Sequence, residues 1–155
     1  MPESTQTREP GAQVGGPTRA NVGFELAKAS QRWNELLYEE FSARGYGEVR
    51  PAYGSVLLPL FEEDGLRMGA LAARARLSKQ TMTTLIRLME EADLVTRDPD
   101  PHDGRAVLVR LTARSREFAP VAAQVVAELE GRIARRLTAD GYWALRAGLM
   151  EVMDL

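Results

Sequence analysis

Between Ser78 and Arg87 the chain carries a dense run of hydrogen-bonding side chains: Ser78, Lys79, Gln80, Thr81, Thr83, Thr84 and Arg87. Two of them are cations, and no carboxylate appears before Glu90. An ordinary solvated helix face mixes both signs of charge within its first two turns. Amide and hydroxyl groups at helical spacing, with cations beside them, suit the donor and acceptor edges of base pairs and the phosphates around them. A second candidate is Arg105, with Asp103 two residues before it and able to hold the guanidinium in position. A guanidinium carried on a hairpin tip suits the negative potential of a narrow minor groove. The plainer reading of the same pair is a solvent-exposed ion pair of little energetic weight.

Other chemistries find less support. The absence of cysteine excludes disulfides, thiolate metal sites, cysteine nucleophiles and thiol-based peroxide sensing. The single histidine, His102, leaves no pair at ligand spacing. Asp98, Asp100, His102 and Asp103 cluster closely enough to be read as a metal site, but Pro99 and Pro101 among them mark a turn, which explains the cluster better. No phosphate-cradling glycine loop, nucleophile elbow or recognisable carboxylate pair is present, so neither an enzyme nor a cofactor is expected.

The elements that must position these residues follow from periodicity. Phe24, Trp33, Leu36, Leu37 and Phe41 recur at helical spacing from Val22 to about Arg44, where Gly45-Tyr46-Gly47 ends the helix. Pro51 suits the first turn of a second helix bearing Val56, Leu57, Leu60 and Phe61, which stops near Asp64-Gly65; Pro59 inside it predicts a kink or an early end. A short helix runs Met68 to Ala75. Ser78 caps the next, Lys79 to Ala92, whose apolar stripe is Met82, Leu85, Ile86 and Met89. Its outer face is the polar run from Ser78 to Arg87. The period then drops to two. Val95-Thr96-Arg97 and Arg105 to Leu111 read as strands of a hairpin with a long polar tip, Asp98 to Gly104. Thr112 caps a helix over about 113–137 with Val121, Val125, Leu129 and Ile133 inward and a kink at Pro120. Thr138 caps a last helix bearing Trp143, Leu145, Leu149, Val152 and Met153. The order α-α-α-α-β-β-α-α is mainly α with a small β-hairpin. Two short helices followed by a hairpin constitute a winged helix-turn-helix.

The 155 residues point to one domain over 21–155, after a Gly-, Pro-, Thr- and Gln-rich tail over 1–20 that reads as disordered. No stretch approaches the length needed to span a bilayer and the N-terminus has no apolar h-region, so no membrane partner and a cytoplasmic location are expected. Net charge is only −2, but it is unevenly spread. From Arg67 to Arg116 ten Lys/Arg face six Asp/Glu, whereas the rest of the chain holds ten against sixteen. A basic island between acidic flanks fits a surface that meets phosphate.

The run Leu71-Ala72-Ala73-Arg74-Ala75-Arg76-Leu77-Ser78-Lys79-Gln80-Thr81-Met82-Thr83-Thr84-Leu85-Ile86-Arg87-Leu88-Met89-Glu90 resembles a segment of the MarR (multiple antibiotic resistance regulator) family. So do Leu94-Val95-Thr96-Arg97, Pro101-His102-Asp103-Gly104-Arg105-Ala106 and Val109-Arg110-Leu111-Thr112, which match that family's wing. Three positions depart from the pattern. Arg76 stands where many members carry the glycine of the turn, Asp93 replaces another glycine, and Gly104 stands where a charged wing residue is common.

The resemblance implies a homodimeric transcriptional regulator, a repressor by default, that reads an inverted repeat in double-stranded DNA and is nucleoid-associated when bound. The winged helix would span about 51–112 and the dimerisation helices about 22–44 and 113–155. Ser78, Gln80, Thr81, Thr83, Thr84 and Arg87 would face the major groove, with Lys79 on phosphate. Arg105 would enter the minor groove, oriented by Asp103, and Arg74 and Arg76 would meet backbone phosphates. A small aromatic or phenolic effector would bind beside the dimer base, where Trp33 and Tyr53 are the candidate lining residues; packing in the core is the plainer role for both. The competing reading is a winged helix used for protein contact, which an apolar recognition helix would favour.

Overall fold

Asn21 opens the first helix by accepting the Phe24 N–H on its side-chain oxygen at 2.9 Å, and α1 runs Val22–Ala43. The computed structural model describes Gly16 and residues 18–155, so most of the tail expected over 1–20 lies outside the described residues. The chain divides into two units, one ending at Arg32 and one covering Trp33–Leu155, with α1 running through the boundary. The second unit holds the rest of α1 and every later element.

Gly45, at φ +84°, takes the left-handed geometry that lets the chain leave α1. Pro51–Tyr53 forms a 3₁₀ turn instead of opening an α-helix directly, and α2 follows at Gly54–Glu62. Pro59 lies inside α2, and the helix ends soon after it, short of the expected Asp64. After α2 come β1 (Leu66–Arg67), α3 (Met68–Arg74), α4 (Lys79–Glu91), β2 (Val95–Asp100), β3 (Asp103–Leu111), α5 (Ala113–Arg136) and α6 (Ala139–Met153). Ser78, Thr112 and Thr138 each accept a backbone N–H at the start of α4, α5 and α6, as their residue types predict. Helix α5 continues through Pro120.

Two features of the sheet differ from the sequence-based expectation. It has three strands in the order β1-β3-β2, the first being only two residues long and therefore without detectable alternation. The hairpin tip is also shorter than expected. Pairing persists through Pro99↔Val107 and, after a bulge, Asp100↔Asp103, leaving Pro101 and His102 as the connection. Pro99 is tolerated because β2 is an edge strand, where a missing N–H need not break a ladder bond.

The core gathers Val56, Leu57 and Leu60 from α2, Leu71 from α3, Met82, Ile86 and Met89 from α4, Leu94, Val109, and Phe118, Val125 and Leu129 from α5. Phe118 meets Phe41 edge-on at 4.8 Å and Tyr46 at 5.1 Å, an aromatic cluster that joins α5 to α1 and its following loop. Arg114 reinforces this joint: its guanidinium lies 4.0 Å from the Tyr46 ring, its Nε donates to Glu48 at 2.6 Å, and it also donates to the Gly45 carbonyl. Asp64 accepts the Leu111 N–H at 2.8 Å and pairs with Arg116 at 2.6 Å, fastening β3 and α5 to the loop after α2. By contrast, α6 buries no residue at all, although its sequence is rich in apolar side chains. Among the described residues, no helix is long and apolar enough to cross a membrane.

Candidate nucleic-acid interface

Helix α4 packs on the core through its apolar side. Met82, Ile86 and Met89 are fully buried at i, i+4 and i+7, with Leu85 packed against the same core, which leaves the opposite face in solvent. Ser78, Lys79, Gln80, Thr81, Thr83, Thr84 and Arg87 are all exposed there. The helix therefore presents the polar run as one surface, because its buried stripe fixes its rotation.

Their hydrogen bonds separate these residues by task. Ser78 Oγ accepts the Thr81 N–H at 3.1 Å and lies 2.8 Å from the Thr81 hydroxyl, so this pair builds the helix start. Thr83 and Thr84 donate their hydroxyls to the carbonyls of Lys79 and Gln80, at 2.8 and 3.2 Å, which leaves oxygen lone pairs and methyl groups facing outward. Arg87 pairs with Glu91 at 2.6 Å. The face free of acid by sequence is thus partly neutralised at its C-terminal end by a carboxylate one turn on. Lys79 and Gln80 form no side-chain hydrogen bond or ion pair among the described residues.

The turn before α4 is made by Arg76, at φ +52°, a backbone region that usually calls for glycine. Asp93, after α4, adopts the same geometry at φ +56°. Both positions are those where the sequence departs from a glycine. Leu77 N–H reaches back to the Ala72 carbonyl at 3.0 Å and closes the reversal. Arg76 is exposed and donates to the Met153 carbonyl at 3.2 Å. Arg74 forms an ion pair with Glu63, so it is not a free cation.

At the wing, one expectation fails. Asp103 does not orient the Arg105 guanidinium: its Oδ1 accepts the Arg105 backbone N–H at 3.2 Å, and its Oδ2 faces Arg67 at 3.6 Å. The hairpin is tighter than expected, and a two-residue tip directs the carboxylate across the sheet instead of along the strand. The Arg105 side chain is exposed and, among the described residues, has no partner.

The pairing of Arg67 with Asp100 was not legible in the sequence. Asp100 is only 6% exposed, and its Oδ2 accepts from Arg67 Nε and Nη2 at 2.9 and 2.5 Å. Its Oδ1 accepts the His102 N–H at 2.9 Å. That backbone hydrogen bond, followed by the Arg67 hydrogen bond, holds the Asp100 carboxyl below its ordinary pKa. Asp98 lies near Arg110 at 3.6 Å, so all three aspartates weighed as metal ligands face arginines. At the far end of the hairpin, Arg97 pairs with Glu90 at 2.8 Å and joins β2 to α4; the carboxylate raises the arginine's pKa.

Trp33 and Tyr53 are not brought together. Trp33 lines a cleft of about 250 Å³ with Ile133, Tyr142, Leu145 and Leu149, between α1, α5 and α6. Tyr53 is buried in the core. A separate apolar cleft lies between α1, α2 and α5, lined by Leu37, Phe41, Leu57, Phe61 and Phe118, with Arg50 as its one charged lining residue and neither Trp33 nor Tyr53 on its wall. Arg50 itself lies 4.8 Å from the Tyr38 ring.

A family model described as the MarR family matches residues 51–106, from the 3₁₀ turn to the wing. An HTH-type transcriptional repressor of Mycobacterium bovis is 38% identical over 80 residues, a stretch covering 52% of this chain and 58% of that relative. The match thus spans little more than half the relative's length. Among solved structures, the transcriptional repressor CouR bound to a 23-mer DNA duplex superposes with a TM-score of 0.74 at 23% identity, over 90% of this chain and 99% of that one. The PcaV transcriptional regulator of Streptomyces coelicolor, in complex with its natural ligand, gives 0.75 at 20% identity over 92% and 98%. At such identities these likenesses concern the fold.

Proposed function

We propose that the chain is a winged helix-turn-helix protein of the MarR family, whose model matches residues 51–106, and that it is a sequence-specific DNA-binding transcriptional regulator. It acts as a repressor, in the cytoplasm and on nucleoid DNA, reading an inverted repeat as a homodimer. One observation carries the reading: the exposed face of α4 begins with Lys79 and Gln80, both unpaired among the described residues, and Arg105, near the tip of the wing, is unpaired as well. Unpaired cations and an amide need no internal partner to be broken before they meet a nucleic acid. A helix of about 20 Å fits the major groove lengthwise, and the wing tip is suited to the neighbouring minor groove. The polar character of the α4 face speaks against the competing use of the winged helix for protein contact.

The homodimer is supported by α6. Trp143, Met150 and Met153 are each more than half exposed, and Leu145, Leu149 and Val152 lie beside them in sequence with substantial exposure. A second copy would cover this apolar surface and set two recognition helices about one DNA turn apart. The effector reading moves to the α1–α2–α5 cleft. Its apolar walls and lone Arg50 suit a small aromatic carboxylate or phenolate, which would bias the spacing of the two winged helices.

The test is selection of duplexes from a random-sequence DNA pool, followed by fluorescence anisotropy at two salt concentrations with random DNA as competitor. Tight binding to an enriched palindromic duplex that weakens with salt is the expected outcome. Failure to enrich any duplex at low salt refutes the DNA reading and favours protein contact.

A further inference from the structure

Arg105 lies near the start of β3, just past the Pro101-His102 connection, and residues 101–105 are all exposed, so its position depends on what braces the hairpin end. Arg67, Asp100 and Asp103 are joined across the sheet at that end, beside the Asp98–Arg110 contact between β2 and β3. Arg67 lies in β1, paired with Leu108 of β3, and is also the residue that immediately precedes α3. Its guanidinium reaches past the central strand to the end of β2, where Nε and Nη2 both bond one oxygen of the nearly buried Asp100. The same Nη2 lies 3.6 Å from Asp103 at the start of β3. The two aspartates then hold the tip backbone, Asp100 through the His102 N–H and Asp103 through the Arg105 N–H. One arginine at the foot of the helix-turn-helix thereby grips both strands of the hairpin next to Arg105. A buried carboxylate that loses its cation is penalised heavily, which disfavours tip conformations that leave Arg67.

We propose that Arg67 is a positioning residue for DNA binding: through Asp100 and Asp103 it fixes the wing tip relative to α3 and α4, so that Arg105 enters the minor groove at a set angle and depth. The proposal rests on the reading of this protein as a DNA-binding regulator. Arg67 is not itself a phosphate contact in this scheme. Together with its two carboxylates it forms a group of net charge −1, and two of its donor nitrogens are occupied.

The experiment uses the full-length protein and a duplex that the wild type enriches from a random pool. Anisotropy at a series of salt concentrations compares Arg105→Ala, Arg67→Met and the double variant. Arg105→Ala is expected to weaken binding about tenfold and to reduce the salt slope by about one, the effect of a single cation withdrawn from the DNA. Arg67→Met should weaken wild-type binding about fivefold without changing the salt slope, yet weaken the Arg105→Ala protein less than twofold. Asp100→Asn, which keeps the side-chain shape, should repeat the Arg67→Met pattern and serves if Arg67→Met melts early. An equal loss in both backgrounds would show an independent or merely structural role and overturn the proposal. A reduced salt slope for Arg67→Met would make it a phosphate contact, with the same consequence. If Arg105→Ala binds like wild type while Gln80→Ala does not, the DNA reading survives and the wing-positioning proposal falls. If the wild type enriches no duplex, both fall together.

Discussion

Arg76 occupies a backbone conformation that its side chain does not favour, and replacing it should separate stability from DNA affinity. At φ +52° a residue with a Cβ gives up about 1–2 kcal/mol relative to its preferred regions. Arg76→Gly removes that strain but returns about 0.4–1 kcal/mol of chain entropy to the unfolded state. The substitution also deletes an exposed hydrogen bond to the Met153 carbonyl, 3.2 Å long and worth a few tenths of a kcal/mol at such a site. The net expectation is a gain of about 0.5 kcal/mol, or a rise in Tm of about 1–2 °C for a chain of this size. Urea denaturation at one fixed protein concentration measures it, since self-association would make stability depend on concentration. The same variant should bind DNA more weakly, with the salt slope lowered by about 0.9 for each phosphate no longer neutralised. Asp93→Gly, at φ +56°, is the control: aspartate tolerates this region better, so its gain should be smaller. A loss of more than about 1 kcal/mol in Arg76→Gly would refute the assignment of strain to this position.

Three further outcomes are expected. Ser78→Ala removes the acceptor for the Thr81 N–H and should destabilise the protein by about 1 kcal/mol in thermal or urea unfolding, with α4 fraying from its first turn. Leu149→Asp, on the exposed apolar α6, should convert a dimer to monomer in sedimentation velocity and abolish cooperative occupation of a palindrome; an unchanged dimer would place the interface elsewhere. Asp100 and Glu48 have folded-state pKa values held below their ordinary range, the first mainly by the His102 N–H and then Arg67, the second mainly by Arg114. Their contribution to stability is therefore complete above the unfolded carboxylate pKa and lost as pH falls through the lower folded values. Thermal melts of Asp100→Asn should accordingly depend less on pH below about 4 than those of the wild type, and parallel curves would refute the linkage.

Much of this protein is legible in local sequence because its main elements are specified by local rules. The caps at Ser78, Thr112 and Thr138 need only a hydroxyl at the right position, and each makes the expected hydrogen bond. The Met82, Ile86 and Met89 stripe determines which side of α4 is buried, and thus that Ser78 to Arg87 present their polar groups to solvent. The positive-φ residues Arg76 and Asp93 stand where the family resemblance placed a glycine, and for Arg76 the turn geometry itself came from the structure. Long-range partners were not legible, for a physical reason: ion pairing at a distance of many residues leaves no period in the chain. Arg67 meets Asp100 only because β1 joins the sheet beside β3, and a two-residue strand has no alternation to announce it. That pairing turned Asp103 toward Arg67 and left Arg105 unpaired, while Glu63 claimed Arg74; the Arg87–Glu91 pair, at i and i+4 of one helix, is by contrast a local one. Composition and spacing by themselves determined the helices, the hairpin and the polar face. Tertiary packing decided the long-range pairs, Arg67 with Asp100 and Arg74 with Glu63, and which cation of the wing stands free, because those partners come from different elements of the fold.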